Sequence, residues 1–236
     1  MGVVEPERPS IAAVAALDDD VRHALYRCVR DARRPITREQ AAAAVGISRK
    51  LAAFHLDKLV AVGLLRTRYE SAGTPRRVGR APKVYELSGD DVSVCVPARR
   101  PVLLAEILLD AVLTARASEE PDRAARRVAR GYGERLGAAE REQVRPGRLG
   151  AERALALAGT VCERYGFEPG PSDAGAVRLR NCPFHPLAAR APELVCAVNH
   201  EFLSGLLDGL GARGVDAVLE PSPGECCVEL RRSATT

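Results

Sequence analysis

The sequence predicts a protein of the α+β class, and three observations lead to this prediction. Apolar residues recur at helical spacing in residues 11–62 and again in residues 101–165. Short alternating segments bounded by Gly, Pro and Ser, which are typical of strands, follow each of these stretches. Aromatic residues make up only 4% of the chain and Trp is absent. The core must therefore consist of Ala, Leu and Val, a composition that favours helices.

Three helices are predicted in the N-terminal part. The first covers residues 11–33, where the apolar residues recur at helical spacing. The second begins at Thr37, a good N-cap that is followed three residues later by the Gln of a capping box, and it ends at Gly46. The third begins at Ser48, another favourable N-cap, and continues to about residue 62. Two helices joined by a short turn that contains Gly are typical of a helix-turn-helix.

A β-hairpin with a long basic loop is predicted next. Residues 66–70 and 83–87 alternate as strands do, and the basic side chains between residues 66 and 83 face only one acid, Glu70. After a helix-turn-helix, such a hairpin, or wing, favours contact with a DNA phosphate backbone over a merely solvated loop. The basic residues are Arg66, Arg68, Arg76, Arg77, Arg80 and Lys83.

The start of the third helix contains the predicted base contacts, because a recognition helix presents its N-terminal residues to the groove. Arg49 suits a two-pronged contact with guanine, and Ser48 or Lys50 suits a phosphate. Small Ala53 permits close approach, and His55 either packs against the core or contacts DNA. The complete predicted DNA-binding set is Thr37, Ser48, Arg49, Lys50, Ala53, His55, Arg66, Arg68, Arg76, Arg77, Arg80 and Lys83.

Residues 46–59 resemble the winged-helix repressors of the ArsR type. The resemblance continues in residues 79–87, where Gly-Arg, a small residue and Tyr-x-Leu form a frequent end of the wing in such regulators. It implies an N-terminal winged helix-turn-helix whose Gly-Arg tip suits a minor groove. The alternative is a helix-turn-helix that makes protein contacts instead. Four apolar residues of this stretch are expected to pack inward, namely Ile47, Leu51, Leu56 and Leu59.

Further helices are predicted at residues 101–116, 121–136 and 149–165. Two wings must reach two half-sites one DNA turn apart, so a homodimer is expected on double-stranded operator DNA. The first two of these helices are expected to form its interface. The predicted organisation is a DNA-binding domain at residues 1–98, a helical dimerisation linker at 99–165 and a C-terminal sensor domain at 166–236.

The C-terminal part is predicted to be a β-β-α-β-β unit. Its helix covers residues 192–210, where the apolar residues form one stripe, and Gly211 caps it. The turns around it contain Pro, Gly, Ser and Asp, which are typical of connections between strands. The four strands are predicted at residues 166–169, 176–181, 215–219 and 226–230.

The composition points to a cytoplasmic protein that does not enter a membrane. The first ten residues carry acids and prolines and show no secretory signal. The most apolar stretch, residues 101–113, is too short for a membrane span and is interrupted by Glu106 and Asp110. In a reducing compartment the seven cysteines argue against a disulfide framework.

Four cysteines near the C-terminus form the candidate sensor. Cys182 ends a predicted strand, and Cys196 lies in the first two turns of the long helix, where the helix dipole favours a thiolate. Cys226 and Cys227 are expected to be neighbours on a strand and to point to opposite faces, with Cys226 facing inward. The remaining cysteines, Cys28, Cys95 and Cys162, are expected to be inert.

Several uses of these thiols are compatible with the sequence. Zinc would need a fourth ligand, for which His185 or His200 is available, although a set without C-x-x-C spacing is atypical of structural zinc. For the fourth position of the site in general, Asn181 is a further candidate after His185. An iron–sulfur cluster tolerates such dispersed ligands. Thiol redox sensing, inert burial beside a site for a small apolar effector, and a Cys196–His200 nucleophile pair are the other options. No oxyanion-type glycine turn accompanies that pair, so the chain is not expected to be an enzyme.

Asn-Cys-Pro at residues 181–183, then Cys196, then a Gly-x-Cys after the long helix resemble the SufR branch of the ArsR-like regulators. Those proteins are dimeric repressors of iron–sulfur assembly genes. The resemblance covers nearly the whole chain and implies a [4Fe-4S] cluster held by Cys182, Cys196 and Cys226, with Cys227 and His185 as further candidate ligands. The doubled cysteine departs from that pattern, and zinc is the alternative metal.

Overall fold

The computed structural model of the protein describes residues 7–69, 81–145, 147, 149–171 and 175–233. Within these residues the chain forms helices and two small antiparallel sheets, so the mixed helix and sheet composition of the α+β prediction is confirmed. The chain divides into two compact units, residues 1–94 and 95–236, and each has a hydrophobic core of its own.

The first unit combines helices with a small antiparallel sheet of strand order β1-β3-β2. Its core is built around fully buried Leu25, Leu56, Leu59 and Tyr85. Strands β2 and β3 pair in register from Leu65 opposite Leu87 to Tyr69 opposite Lys83. The elements are α1 (Glu7–Ala16), α2 (Asp20–Ala32), β1 (Ile36–Thr37), α3 (Arg38–Val45), α4 (Arg49–Ala61), β2 (Leu65–Tyr69) and β3 (Lys83–Leu87).

Local side-chain chemistry determines where α3 and α4 begin and end. The Gln40 N–H donates to Thr37 Oγ1 at 3.3 Å and the Thr37 N–H donates to Gln40 Oε1 at 2.9 Å, which confirms the predicted capping box. Gly46 ends α3 with a φ of 75°, a left-handed conformation that glycine adopts without steric cost. Ser48 caps α4 by accepting the Leu51 N–H at 3.2 Å.

The single helix predicted at residues 11–33 is wrong, because the structure divides it into α1 and α2. Asp19 accepts the Arg22 N–H at 2.9 Å and so acts as the N-cap of a new helix inside the periodic segment. Apolar periodicity alone did not reveal the break, since helices on both sides of it pack against the same core.

The second unit combines helices with an antiparallel sheet of strand order β4-β5-β7-β6. The predicted helix at residues 192–210 and its cap at Gly211 are confirmed. The elements are α5 (Pro101–Leu113), α6 (Pro121–Val144), α7 (Ala151–Arg164), β4 (Pro169–Pro171), β5 (Val177–Leu179), α8 (Leu187–Arg190), α9 (Pro192–Leu210), β6 (Val215–Leu219) and β7 (Val228–Arg232).

Helices α6 and α9 cross at backbone contact. Gly133 and Gly137 of α6 face Gly205 and Gly209 of α9, and a Cβ atom on any of these four would collide with backbone atoms of the opposite helix. The glycines therefore permit a closer approach of the two helix axes than larger side chains would. This contact holds α9, which carries Cys196, firmly against the rest of the unit.

Strand β7 begins at Val228, two residues later than predicted. Cys226 and Cys227 therefore precede the strand, where alternation of side chains between two faces does not apply. The Cys226 N–H donates to the Leu179 carbonyl, and the Glu220 N–H donates to the Cys227 carbonyl, both at 2.8 Å. Among the described residues, no helix has the length and apolar character needed to cross a membrane.

Candidate functional site

Helix α4 has one buried side and one exposed side in the first unit. Ala52, Leu56 and Leu59 are buried, whereas the predicted DNA-binding residues Arg49 and Lys50 are exposed. Predicted contact residue Ser48 is exposed, Ala53 is half-buried and Thr37 serves as the cap of α3. The exposed start of α4 is thus basic and carries a small residue at its second turn.

Two residues of α4 differ from the sequence prediction in the direction they face. Leu51, expected in the core, is 40% exposed, and the apolar periodicity of this helix is too weak to have revealed it. His55 is only 8% exposed. Its Nδ1 lies 4.0 Å from Asp19 Oδ1 and has no hydrogen-bond partner within the described residues, so His55 belongs to the interior of the unit rather than to its exposed surface.

Acidic side chains accompany several predicted cations of the hairpin. Lys83 Nζ lies 2.7 Å from Asp57 Oδ1, and this contact raises the pKa of Lys83. Glu86 lies 3.0 Å from Arg66 Nε and 3.6 Å from Arg68 Nε. The charge of these three predicted contacts is therefore shared with carboxylates. The predicted contacts Arg76, Arg77 and Arg80 lie outside the described residues.

The second unit brings four thiols together from three chain segments. Cys182 follows β5, Cys196 lies in the second turn of α9, and Cys226 and Cys227 precede β7. Side-chain hydrogen bonds join Cys182 to Cys226, Cys226 to Cys227, and Cys227 to Cys196. The contacts therefore link the sulfurs in a row, and both members of the doubled cysteine take part. We call these four residues the thiol cluster.

The hydrogen bonds within the thiol cluster give its members different acidities. The bond from Cys226 lowers the pKa of Cys227 to about 6, and Cys196 and Asn199 act in the same direction. The bond from Cys226 also lowers the pKa of Cys182, which the backbone N–H groups of Phe184 and His185 assist. Cys226 donates to both neighbours, so its own pKa is raised.

Cys196 is not the acidic thiol that its helical position suggested. Burial, followed by its hydrogen bond to Cys227, raises its pKa to about 12. Desolvation disfavours a charged sulfur and outweighs the helix dipole here. Cys227 is the thiol whose deprotonated form is most favoured. The sequence instead predicted that Cys226 faces the site and that Cys227 faces away from it.

Asn199 is the buried polar residue of the thiol cluster, and the sequence analysis did not identify it. Its side chain is fully buried on α9, and Nδ2 donates to Cys226 Sγ at 3.2 Å. Its Oδ1 has no hydrogen-bond partner within the described residues. The residue lies three positions after Cys196, a spacing that places both on one face of a helix, and this is the signal that could have found it.

A cavity of about 430 Å³ opens beside the thiol cluster. Cys182, Cys196, Cys227 and His185 line it, together with Arg99, whose Nη1 donates to the Cys182 carbonyl at 3.1 Å. His200, considered as a ligand or as a catalytic partner of Cys196, instead directs Nε2 at the Ala217 carbonyl at 3.1 Å. Of the two histidines considered, only His185 faces this cavity.

The thiol cluster has the donor chemistry of a site for a soft metal. Thiolates suit zinc and iron–sulfur clusters, and the cavity provides space beside three of the sulfurs. Among the described residues, no group of three or more His, Cys, Asp or Glu side chains is already positioned to hold a metal ion. The donor chemistry therefore suits such a group, whereas the arrangement of the described residues does not form a metal site.

The three cysteines outside the thiol cluster have no such surroundings. Cys162 is completely buried, which raises its pKa to about 12. Burial also raises the pKa of Cys28, and Cys95 is exposed. The reactivity of these three cysteines can therefore serve as a control for the reactivity of the thiol cluster.

Comparison with known proteins identifies no relative, since no family model, curated protein or solved structure matches the chain.

Proposed function

We propose that the chain is a DNA-binding transcriptional regulator, acting as a repressor, whose input is the thiol cluster, with an iron–sulfur cluster as the resident cofactor. The observation that carries this proposal is the meeting of four thiols from three chain segments in a protein that also presents an exposed basic helix start. Packing of the core does not require an acidic thiol beside three other thiols, because apolar residues at these positions would stabilise the core better.

The first unit supports the DNA-binding part of the proposal. Helices α3 and α4 are joined by a short turn and are followed by an antiparallel hairpin, and this order of elements supports a winged helix-turn-helix. In that arrangement α4 is the recognition helix, and Arg49 and Lys50 at its start reach base edges and phosphates. The hairpin arginines add backbone contacts that contribute affinity without sequence preference.

The homodimer is proposed to form through α5. Four apolar side chains of this helix are exposed, three of them near its C-terminal end, and together they form a stripe that a second copy would cover. Pairing of two copies would present two recognition helices to paired half-sites. The exposed residues are Val102, Leu109, Val112 and Leu113.

The iron–sulfur cluster is proposed to be held by Cys182, Cys196 and one of the two adjacent cysteines, Cys226 or Cys227, with His185 available from the cavity wall. When bound, such a cluster supplies one-electron redox chemistry and sensitivity to oxidants. Cys227 is the adjacent cysteine that faces the cavity, and its low pKa favours the deprotonated form that ligation requires.

An anaerobic visible spectrum with iron and sulfide analysis tests this cofactor. We expect a broad absorption band with bound iron and sulfide in the wild-type protein, and loss of all three in Cys182→Ser. Cys95→Ser, which alters an exposed cysteine outside the thiol cluster, is the matched control and should retain them. A colourless protein that contains stoichiometric zinc would show that the resident metal is zinc and not an iron–sulfur cluster.

Reversible thiol oxidation is the second candidate input, and the direct contact of Cys227 with Cys226 and Cys196 favours it. With hydrogen peroxide as oxidant, the Cys227 thiolate would attack one peroxide oxygen, forming a sulfenic acid and releasing hydroxide. A neighbouring thiol would then attack that sulfur, forming a disulfide and releasing water. Metal-free wild-type protein that gains one disulfide with peroxide, detected by mass spectrometry under non-reducing conditions, would support this input.

A further inference from the structure

Phe54 is an exposed aromatic residue on the outward side of α4. Its side chain is 55% exposed, although neighbouring Ala52, His55 and Leu56 are buried. Phe54 lies one helical turn after Lys50, so the two share one side of the helix. A single exposed apolar residue is common on protein surfaces, so what distinguishes Phe54 is its position beside the exposed cations of α4.

Phe54 has one aromatic and one basic neighbour. The His55 ring meets it edge-on with a centroid distance of 5.2 Å, and Lys58 Nζ lies 5.7 Å from the ring centroid. Asp57, the acid on the same side of α4, is engaged by Lys83 and by the Tyr85 hydroxyl at 3.0 Å. An exposed apolar ring with Lys58 beside it and Lys50 one turn earlier suits a polyanion that also carries apolar groups.

We infer that Phe54 is a specificity-determining residue that contacts the methyl group of a thymine in the major groove of the DNA. Double-stranded DNA combines the phosphate charge that Arg49, Lys50 and Lys58 would meet with thymine methyl groups, which aromatic side chains can recognise there. Apolar contact with thymine carries sequence information, whereas phosphate contacts position the helix. This inference rests on the proposed DNA-binding function.

Deletion of single thymine methyl groups tests the inference. Duplexes that bind the full chain are first selected from a random pool, and each thymine of the selected duplex is then replaced by uracil. For the wild-type protein we expect about fourfold weaker binding at one position in each half-site, the loss that burial of one methyl group predicts. In Phe54→Ala this difference between thymine and uracil should disappear at that position. Binding is measured by fluorescence anisotropy.

Lys50→Ala is the matched control on the same side of α4. It should weaken binding to the thymine and uracil duplexes equally and reduce the slope of affinity against salt by about one. Phe54→Leu, which keeps an apolar group, should retain part of the thymine preference. Circular dichroism should show unchanged helix content in all variants, since the substituted side chains are exposed.

The outcomes separate the inference from the function on which it rests. If the full chain enriches no duplex from the pool, the proposed DNA-binding function fails and the inference falls with it. If a duplex is enriched but uracil substitution has no effect on the wild-type protein, or the same effect on Phe54→Ala, the inference alone is overturned.

Discussion

Each sulfur of the thiol cluster is placed in a different electrostatic environment although the four are in contact. Cys227 receives hydrogen bonds from Cys226 and Cys196, and these favour its thiolate. Asn199, whose Nδ2 donates to the adjacent Cys226 Sγ at 3.2 Å, lowers the pKa of Cys227 in the same direction. Cys196 and Cys226 act as donors and are held in the protonated form. The thiolate is thereby favoured at Cys227 and Cys182, which both line the cavity together with Arg99.

The order of thiol reactivity in the metal-free, reduced protein follows from these pKa values. Cys227, with a pKa of about 6, is mostly deprotonated above that pH, so its alkylation by iodoacetamide should reach a plateau above about pH 7. Cys196, with a pKa raised to about 12, should react faster with every increase in pH up to 9. Peptide mapping after brief labelling between pH 5 and 9 measures both. A plateau for Cys196 but not for Cys227 would contradict the assigned hydrogen-bond directions.

Asn199 is expected to tune the acidity of Cys227. Asn199→Ala removes a donor to the sulfurs, so the pH at which Cys227 labelling is half-maximal should rise. Asn199→Asp should raise this midpoint pH further, because the substitution replaces the amide donor by a carboxylate, whose negative charge disfavours a nearby thiolate. We also expect Asn199→Ala to lower the free energy of unfolding in urea by about 0.5–1.5 kcal/mol, the usual net contribution of a hydrogen bond between neutral groups, because its partner Cys226 is protonated. Identical midpoints in all three proteins would exclude this role.

At the scale of secondary-structure elements, the α6–α9 contact positions the thiol cluster. Cys196 and Asn199 both lie on α9, and the glycines of the two helices allow the backbones to touch. Any outward shift of α9 would separate Cys196 from Cys227. Acidity at the thiol cluster therefore depends on packing along a helix pair.

Gly133→Ala should destabilise the second unit by about 2–3 kcal/mol, because the added Cβ would collide with the Phe202 carbonyl oxygen of α9. Gly131→Ala on the same helix is the matched control. Its added Cβ would meet nothing closer than Arg135 Nη1 at 3.5 Å, so the higher helix propensity of Ala should stabilise α6 by up to about 1 kcal/mol. Thermal or urea unfolding measures both, and equal effects would show that the glycines do not set the helix contact.

Elements with strong local signals were predictable from the sequence, and those determined by tertiary packing were not. Thr37, Ser48 and Gly211 carry caps that act within one turn, so the helix boundaries they predict are confirmed. The start of β7 depends on pairing with distant strands, and the predicted strand position of Cys226 was therefore wrong. The sequence suggested that the thiols meet, because they were predicted at a strand end, a helix start and a strand of one compact unit. Which sulfur is acidic depends on hydrogen bonds that the sequence does not reveal.

At the scale of the whole molecule, the proposed function requires thermodynamic coupling between the two units. A regulator responds only if the state of its thiol cluster changes its affinity for DNA. Coupling of this kind is reciprocal, so DNA must then change the equilibrium at the thiol cluster by the same factor. Reciprocity provides a test that does not depend on which chemistry the cluster performs.

The affinity of the full chain for a selected duplex should differ by about 5- to 150-fold between the reduced and oxidised states of the thiol cluster. DNA at saturating concentration should shift the redox equilibrium of the cluster by the same factor, towards the state that binds more tightly. Anisotropy measures the affinities under controlled redox potential, and non-reducing mass spectrometry or the visible spectrum measures the equilibrium. Lys50→Ala, which weakens DNA contact in both states, should leave the ratio of affinities unchanged. Equal affinity for DNA in the two states would show that the thiol cluster does not control DNA binding, and would exclude it as the input of the regulator.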